Sequence, residues 1–281
     1  MKNLQRKNGI GRAFQRNPTL LVGTLFVLLL LVMAFFPSLF TSLSPTDIAA
    51  DIKLSPPSQE HLFGTDVYGR DVFARCIYGT LVDLKIGVIA MIVPLFTGTI
   101  LGLLAGYYGG KLDMLLMRVV DIFTAFPFMV LVIAIVAILG ASLRNLYIAI
   151  WCVGWKEYTR LVRSEVLVVK RMEYVDAART LGFKNLRIIL RHILPNVISG
   201  AIVYAASDIV LCMMSGASLS YLGLGVEPPT PEWGAIIASG KNYISSAWWI
   251  TLFPGLFLMF AGLAFSLVGD GMSDALRSRG Q

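Results

Sequence analysis

"DAARTLGFKNLRIILRHILPN", residues 176–196, is a compact basic segment set between two long apolar stretches of the chain. Ala177 and Ala178 are strong helix formers, so 173–181 reads as a short helix. Gly182 stands where a helix ends, because glycine takes the left-handed C-terminal position without strain. Asn185 can cap a second helix. In it Leu186, Ile189, Leu190 and Ile193 form one apolar stripe, with Arg187 and Arg191 on the other side. Pro195 then breaks the pattern. The segment is predicted to be helix, glycine turn, helix.

The chain around it is oily. Of 281 residues, 56% are hydrophobic and only 15% charged. A soluble domain carries about 25% charged residues. The mean hydropathy is +0.72. Much of the surface is therefore expected to face lipid. Uncharged stretches at 19–40, 86–108, 122–142 and 247–269 each suit a spanning helix, which needs about 20 apolar residues. Residues 197–223 are apolar except for Asp208. A weaker sixth span starts at Asn145 and meets Lys156 and Glu157 after Trp155.

The charges orient these spans. Residues 1–18 hold Lys2, Arg6, Lys7, Arg12 and Arg16 and no acid, which places them in the cytoplasm. Six spans then put 41–85 outside, with four basic and six acidic residues. They put 160–195 inside, with eight basic residues against three acids. Without the weak fourth span that cationic loop would lie outside, against the rule. The tail returns inside with Arg277 and Arg279. The expected organisation is a cytoplasmic segment 1–18, a first helix 19–40 read as a retained anchor, an external segment 41–85, a five-helix core 86–270 and a cytoplasmic tail 271–281. The net charge of +7 follows from this orientation and needs no nucleic acid.

Catalytic chemistry is missing from the pattern. His61 and His192 fall on opposite sides of the predicted membrane, so they form neither a dyad nor a metal site. "GAIIASGKN", 234–242, has five residues between its glycines where a phosphate loop has four, and Asn242 where that loop needs Ser or Thr. The three cysteines, Cys76, Cys152 and Cys212, are widely spaced and read as small core residues. No catalytic residue and no metal ligand is assigned. Two acids remain as candidates for a translocation path. Asp208 lies mid-span, where a carboxylate must face a partner or a wet path; it reads equally as a lining residue or as an anchor between helices. Asp121 sits three residues after Arg118, a spacing that also suits a local ion pair. Gly98, Gly102 and Gly106 allow a close helix contact.

These segments resemble a known family. "DAARTLG" followed by "RHILPN" is similar to the cytoplasmic EAA loop, about 164–196 here, of integral-membrane permeases in the dipeptide, oligopeptide and nickel group of binding-protein-dependent ABC importers. Asp176 replaces the leading Glu and His192 the usual isoleucine. "FGTDVYGRDVFARCIYG" at 63–79, "PPTPEWG" at 228–234 and "FPGLFLMFAGLAFSLVGDGMSDAL" at 253–276 resemble the same group. The resemblance implies an all-α membrane fold of six helices, the type I importer permease, in a bacterial or archaeal inner membrane. It implies a homologous second permease, two ATPase subunits that hold ATP and Mg, and an external substrate-binding protein. It also implies that Glu173, Asp176, Ala177, Ala178, Arg179, Leu181, Gly182, Phe183, Leu194 and Pro195 couple the spans to an ATPase. The cargo is expected to be dipeptides or oligopeptides, with nickel or another metal chelate, glutathione or an opine-like compound as alternatives. A membrane-anchored DNA-binding regulator is the remote alternative. It would use 173–195 as a helix-turn-helix, but no soluble domain is there to pack the pair.

Overall fold

The computed structural model describes residues 17–277 and is helical throughout apart from turns and one isolated bridge. The basic N-terminal residues up to Arg16 and Arg279, which the orientation argument uses, lie outside the described residues. Helix α1 is Pro18–Phe35, α2 Val72–Tyr108, α3 Gly110–Thr124, α4 Phe128–Leu139 and α5 Leu143–Val169. The short α6 is Glu173–Thr180 and α7 is Asn185–Ile188. Helices α8 Leu194–Tyr221, α9 Trp233–Gly240 and α10 Trp249–Arg277 complete the fold.

Sequence sets most of these boundaries. Pro18 opens α1, where its missing N–H costs nothing. Asp71 caps α2 by accepting from the Ala74 amide at 2.6 Å, so α2 begins well before the apolar stretch at 86. With 37 residues it runs about 55 Å, longer than the ~30 Å hydrocarbon core, and projects beyond it. Gly109 and Gly110, at φ +67° and +59°, turn the chain sharply into α3. The stretch 122–142, expected as one span, is instead divided at Pro127. There α3 and α4 meet at 82°, and α3 supplies the first half of the passage.

Among the described residues, four helices are long and apolar enough to cross a membrane: α1, α2, the continuous rod Asn185–Tyr221, and α10. The bent pair α3–α4 makes up to a fifth. Helix α5 carries too many charges to qualify by composition. It runs parallel to α2 along a seam notched by three glycines. A Cβ on Gly98 would strike the Trp155 carbonyl. One on Gly102 would lie 2.8 Å from the Thr159 carbonyl oxygen, and one on Gly106 would lie 2.7 Å from the Val166 Cβ. Small residues permit this backbone approach, and the helices gain dispersion contact along it. The expected close contact at these glycines is observed.

The core has two halves. One, between α2, α4, α5, α8 and the hairpin, centres on Ile86, Leu146, Tyr158, Val162 and Ile193. The other, between α1, α2, α9 and α10, centres on Leu30, Trp233, Ile250 and Phe265. The start of α1 and the end of α10 lie together, since Gly271 packs on Leu20. At the opposite end, residues 41–71 fold over the bundle. There Asp66 accepts from the Tyr68 amide at 2.8 Å and the Arg70 Nε at 2.7 Å, and Arg75 approaches it at 3.6 Å. All three charged groups are buried, a costly arrangement that persists because they are mutually paired. Trp249 ties this cap to α10 by donating to the Thr65 carbonyl at 3.1 Å. Trp233 ties α9 to α2 by donating to the Cys76 carbonyl at 3.0 Å. Cys76 and Cys212 are buried as expected, but Cys152 is exposed on α5.

Candidate functional site: an exposed hairpin and an acidic cavity

The basic segment forms the expected turn. After α6, Gly182 takes φ +75°. Its amide donates to the Arg179 carbonyl at 2.9 Å, and that of Phe183 to the Ala178 carbonyl at 3.2 Å. This pair of bonds satisfies the last carbonyls of the helix and requires a left-handed residue between them. No atom lies within 4 Å of where a Gly182 side chain would start, so backbone conformation alone demands the glycine.

The second arm departs from expectation. Lys184, not Asn185, occupies the cap position, and it makes no side-chain cap bond. The Asn185 Oδ1 instead accepts from the Tyr107 hydroxyl at 2.9 Å, linking the hairpin to the end of α2. Pro195 does not stop the helix. It lacks the N–H that would reach the Arg191 carbonyl, and residues Ile189–Ile193 absorb the defect as a π turn running straight into α8. The extra residue rotates the apolar face. Ile188, Ile189 and Ile193 are buried, while Leu186 is 66% exposed and Leu190 is also exposed. The expected stripe therefore survives only at Ile189 and Ile193.

The hairpin's two faces are distinct. Val175 and Ala178 turn inward against Ile188 and Ile189, with Ala178 only 3% exposed. Glu173, Asp176, Ala177, Arg179, Leu181 and Gly182 face outward, and Leu181 is 72% exposed. Asp176 and Arg179 pair at 2.8 Å on that face. Phe183 is half-buried, stacked on His192, with the Arg187 guanidinium 4.1 Å from its ring centroid. Leu194 is half-buried in the π-to-α junction, and Pro195 is exposed. Of the residues expected to couple, Ala178 is thus withdrawn into the chain's own core. Asn196 pins the base of the hairpin, donating to the His192 carbonyl at 2.6 Å and to the Tyr174 hydroxyl at 3.1 Å. Because α7 is one turn long and continues into an apolar rod, residues 173–195 do not present a free recognition helix.

The second feature lies between α2, α4, α5 and α8. A cavity of about 460 Å³ is lined by Pro94, Phe128, Glu157, Tyr204, Asp208 and Ser215, among others. The Asp208 Oδ2 accepts from the Tyr158 hydroxyl at 2.8 Å, across from α8 to α5. Asp121 does not line it. Its carboxylate pairs with Arg160 at 3.1 Å, not with Arg118, because α5 brings a guanidinium closer than the same helix does. A second α3–α5 pair joins Asp113 to Arg163 through both carboxylate oxygens. Sequence reasoning missed Tyr158, Tyr204 and Glu157. The weak span was expected to run on past Lys156 and Glu157 to about residue 163, with no partner expected for either; Lys156 is buried, with its Nζ 3.4 Å from the Phe123 carbonyl.

A helical membrane bundle with a hairpin exposed at one end and a largely apolar cavity holding two carboxylates within it fits a transport component. Residues 98–279 match the family described as binding-protein-dependent transport system inner membrane component, and the chain belongs to that family. It is 43% identical over 265 residues to the dipeptide transport system permease protein DppC of Alkalihalophilus pseudofirmus, covering 94% of this chain and 87% of the relative. It is 40% identical to the di/tripeptide transport system permease protein DppC of Pseudomonas aeruginosa, covering 94% and 89%. Against the glutathione transport system permease protein GsiD of Pectobacterium atrosepticum the identity is 39%, covering 94% and 88%. Among solved structures, an inward-facing form of the MetNI methionine ABC transporter shares the fold. Its TM-score is 0.60 at 18% identity, over 72% of this chain and 96% of that one.

Proposed function

We propose that this chain is one half of the substrate pathway of an ATP-driven peptide importer and has no catalysis of its own. ATP and Mg would be held by two separate ATPase subunits, with a homologous second permease beside it and an external binding protein delivering cargo. Peptide cargo is supported by the names of relatives that match nearly the whole chain. Glutathione is the second reading, because a similarly close relative carries that name.

The topology in this reading has six crossings, with α5 as the one that composition alone does not identify. Its parallel seam with α2 supports this. The hairpin end, with its eight cations, is assigned to the cytoplasm together with both termini. Cysteine labelling checks the assignment: position 58 reacts from outside and position 184 only from inside.

The observation that carries the coupling role is the hairpin's mechanical connection. Its outer face is open, while its inner face is joined to α8 by unbroken helix and to α2 by the Tyr107–Asn185 bond. A partner that moves the hairpin moves two long helices that flank the cavity. Asp208 is the path residue in this reading. Reconstitution with both ATPases and the binding protein tests it: dipeptide uptake should require ATP and fail without the hairpin turn. Uptake surviving Gly182→Val at the wild-type rate contradicts it.

A further inference from the structure

We propose that the cavity beside Asp208 is a subsite for the protonated α-amine of the cargo, an inference that rests on the peptide-importer reading above. A volume of about 460 Å³ lies within the usual range of small-ligand pockets, about 300–1,000 Å³. Its walls are apolar where Pro94, Phe128 and Leu211 line it. Of its polar groups, Asp208, Glu157, Ser215 and Ser218 offer acceptors; the Tyr204 hydroxyl and the weak Cys212 thiol are its donors. One oxygen of Asp208 takes the Tyr158 proton, and among the described residues no protein donor reaches the other. The Ser215 hydroxyl proton is committed to the Leu211 carbonyl at 2.6 Å, and that of Ser218 to the Met214 carbonyl at 2.8 Å. Both serines therefore present lone pairs to the cavity they line. Glu157 adds a second carboxylate. Its partner, Lys156, is 3.7 Å away and turned to the Phe123 carbonyl, outside the cavity wall.

A site that offers acceptors and negative charge in an apolar surround selects a ligand that brings donors and positive charge. A primary ammonium brings three donors and no acceptor. Every peptide with a free N-terminus carries one, whatever its side chains, so such a subsite holds the constant part of a varied cargo. A peptide's carboxylate is repelled from the same place, which orients the cargo.

The experiment uses the full complex with its binding protein in proteoliposomes, and dialanine, which has no side-chain amine, as the probe. Asp208→Asn should lower dialanine uptake about tenfold, the cost of losing one charged hydrogen bond, and Asp208→Glu should restore most of it. Glu157→Gln, at a half-exposed position with little bearing on folding, should lower uptake about threefold. An independent arm leaves peptide aside. With Cys152 and Cys212 replaced by alanine, Ser218→Cys should react about tenfold faster with a trimethylammonium thiosulfonate than with its sulfonate counterpart. Asp208→Asn or Glu157→Gln should shrink that preference. If the wild type takes up no dialanine, the peptide reading fails and the reagent arm alone judges the cavity. If Asp208→Asn does not assemble, Glu157→Gln carries both arms. A flat reagent preference, or Asp208→Glu as damaging as Asp208→Asn, would make Asp208 a structural anchor and overturn the proposal.

Discussion

The α2–α5 seam and the hairpin both depend on glycine, for opposite physical reasons. Gly98, Gly102 and Gly106 are ordinary helical residues with no space beyond Cα, because the α5 backbone occupies it. Gly182 has open space around it and a backbone angle that side chains resist. In the seam, glycine is a packing residue and its loss spreads through the bundle. In the turn it is a conformational residue and its loss stays local.

Substitutions at five positions separate these regions. The largest effect is expected for Gly102→Leu, since overpacking against the Thr159 carbonyl has no flexible side chain to yield, at a cost of about 3 kcal/mol. Thermal unfolding of the complex in nanodiscs should show a lowered or absent transition; a wild-type melt would remove the distinction between seam and turn. Next is Gly182→Val, which costs about 1–2 kcal/mol in the turn. It should leave the melt near wild type while cutting coupled uptake severely, and Gly182→Asn should be milder because asparagine tolerates the left-handed region. Ala178→Glu belongs with the seam class: its site is inside the hairpin's own packing, so proteolysis of the hairpin, more than binding to a partner, should report it. Tyr107→Phe removes one hydrogen bond worth about 1 kcal/mol and should loosen the hairpin from α2, seen as faster hydrogen exchange over 183–188. The smallest effect is expected for Asp121→Asn. Its pair with Arg160 is exposed, at 59% and 41% of the two side chains, and such pairs contribute below about 1 kcal/mol. A large loss of stability there would mean that α3 is held to α5 mainly by charge.

What the sequence disclosed follows the same division. The glycine turn was legible because left-handed geometry is a local demand with a residue-type signature. The long apolar helices were legible from composition. The π turn was not, because Pro195 signals a missing donor without saying whether the helix ends or absorbs it. That one extra residue turned Leu190 outward and Ile188 inward. Asp121 was given the wrong partner for a related reason. Spacing along one helix predicts neighbours on that helix, whereas its partner Arg160 comes from α5 across the fold. The cap at 41–71 was visible only as a likeness, although Asp66, Gly69, Arg70 and Arg75 each have a structural task in it. Gly69, for instance, lies against the Ala49 backbone with no room for a side chain. The cavity could not be read at all. Asp208 marked α8, which also carries Ser215 and Ser218, but Tyr158 and Glu157 of α5 reach it only through packing.

The proposed coupling role requires the outer face of the hairpin to meet an ATPase subunit. The most direct measurement is photo-crosslinking from position 181, where the native leucine is 72% exposed, in the assembled complex. Position 138, an exposed isoleucine near the far end of the bundle, serves as the control. An adduct with the ATPase is expected from 181, changing in yield between nucleotide-free and ATP-bound states, and none from 138. An adduct from 181 with lipid, the binding protein or the second permease alone would contradict it.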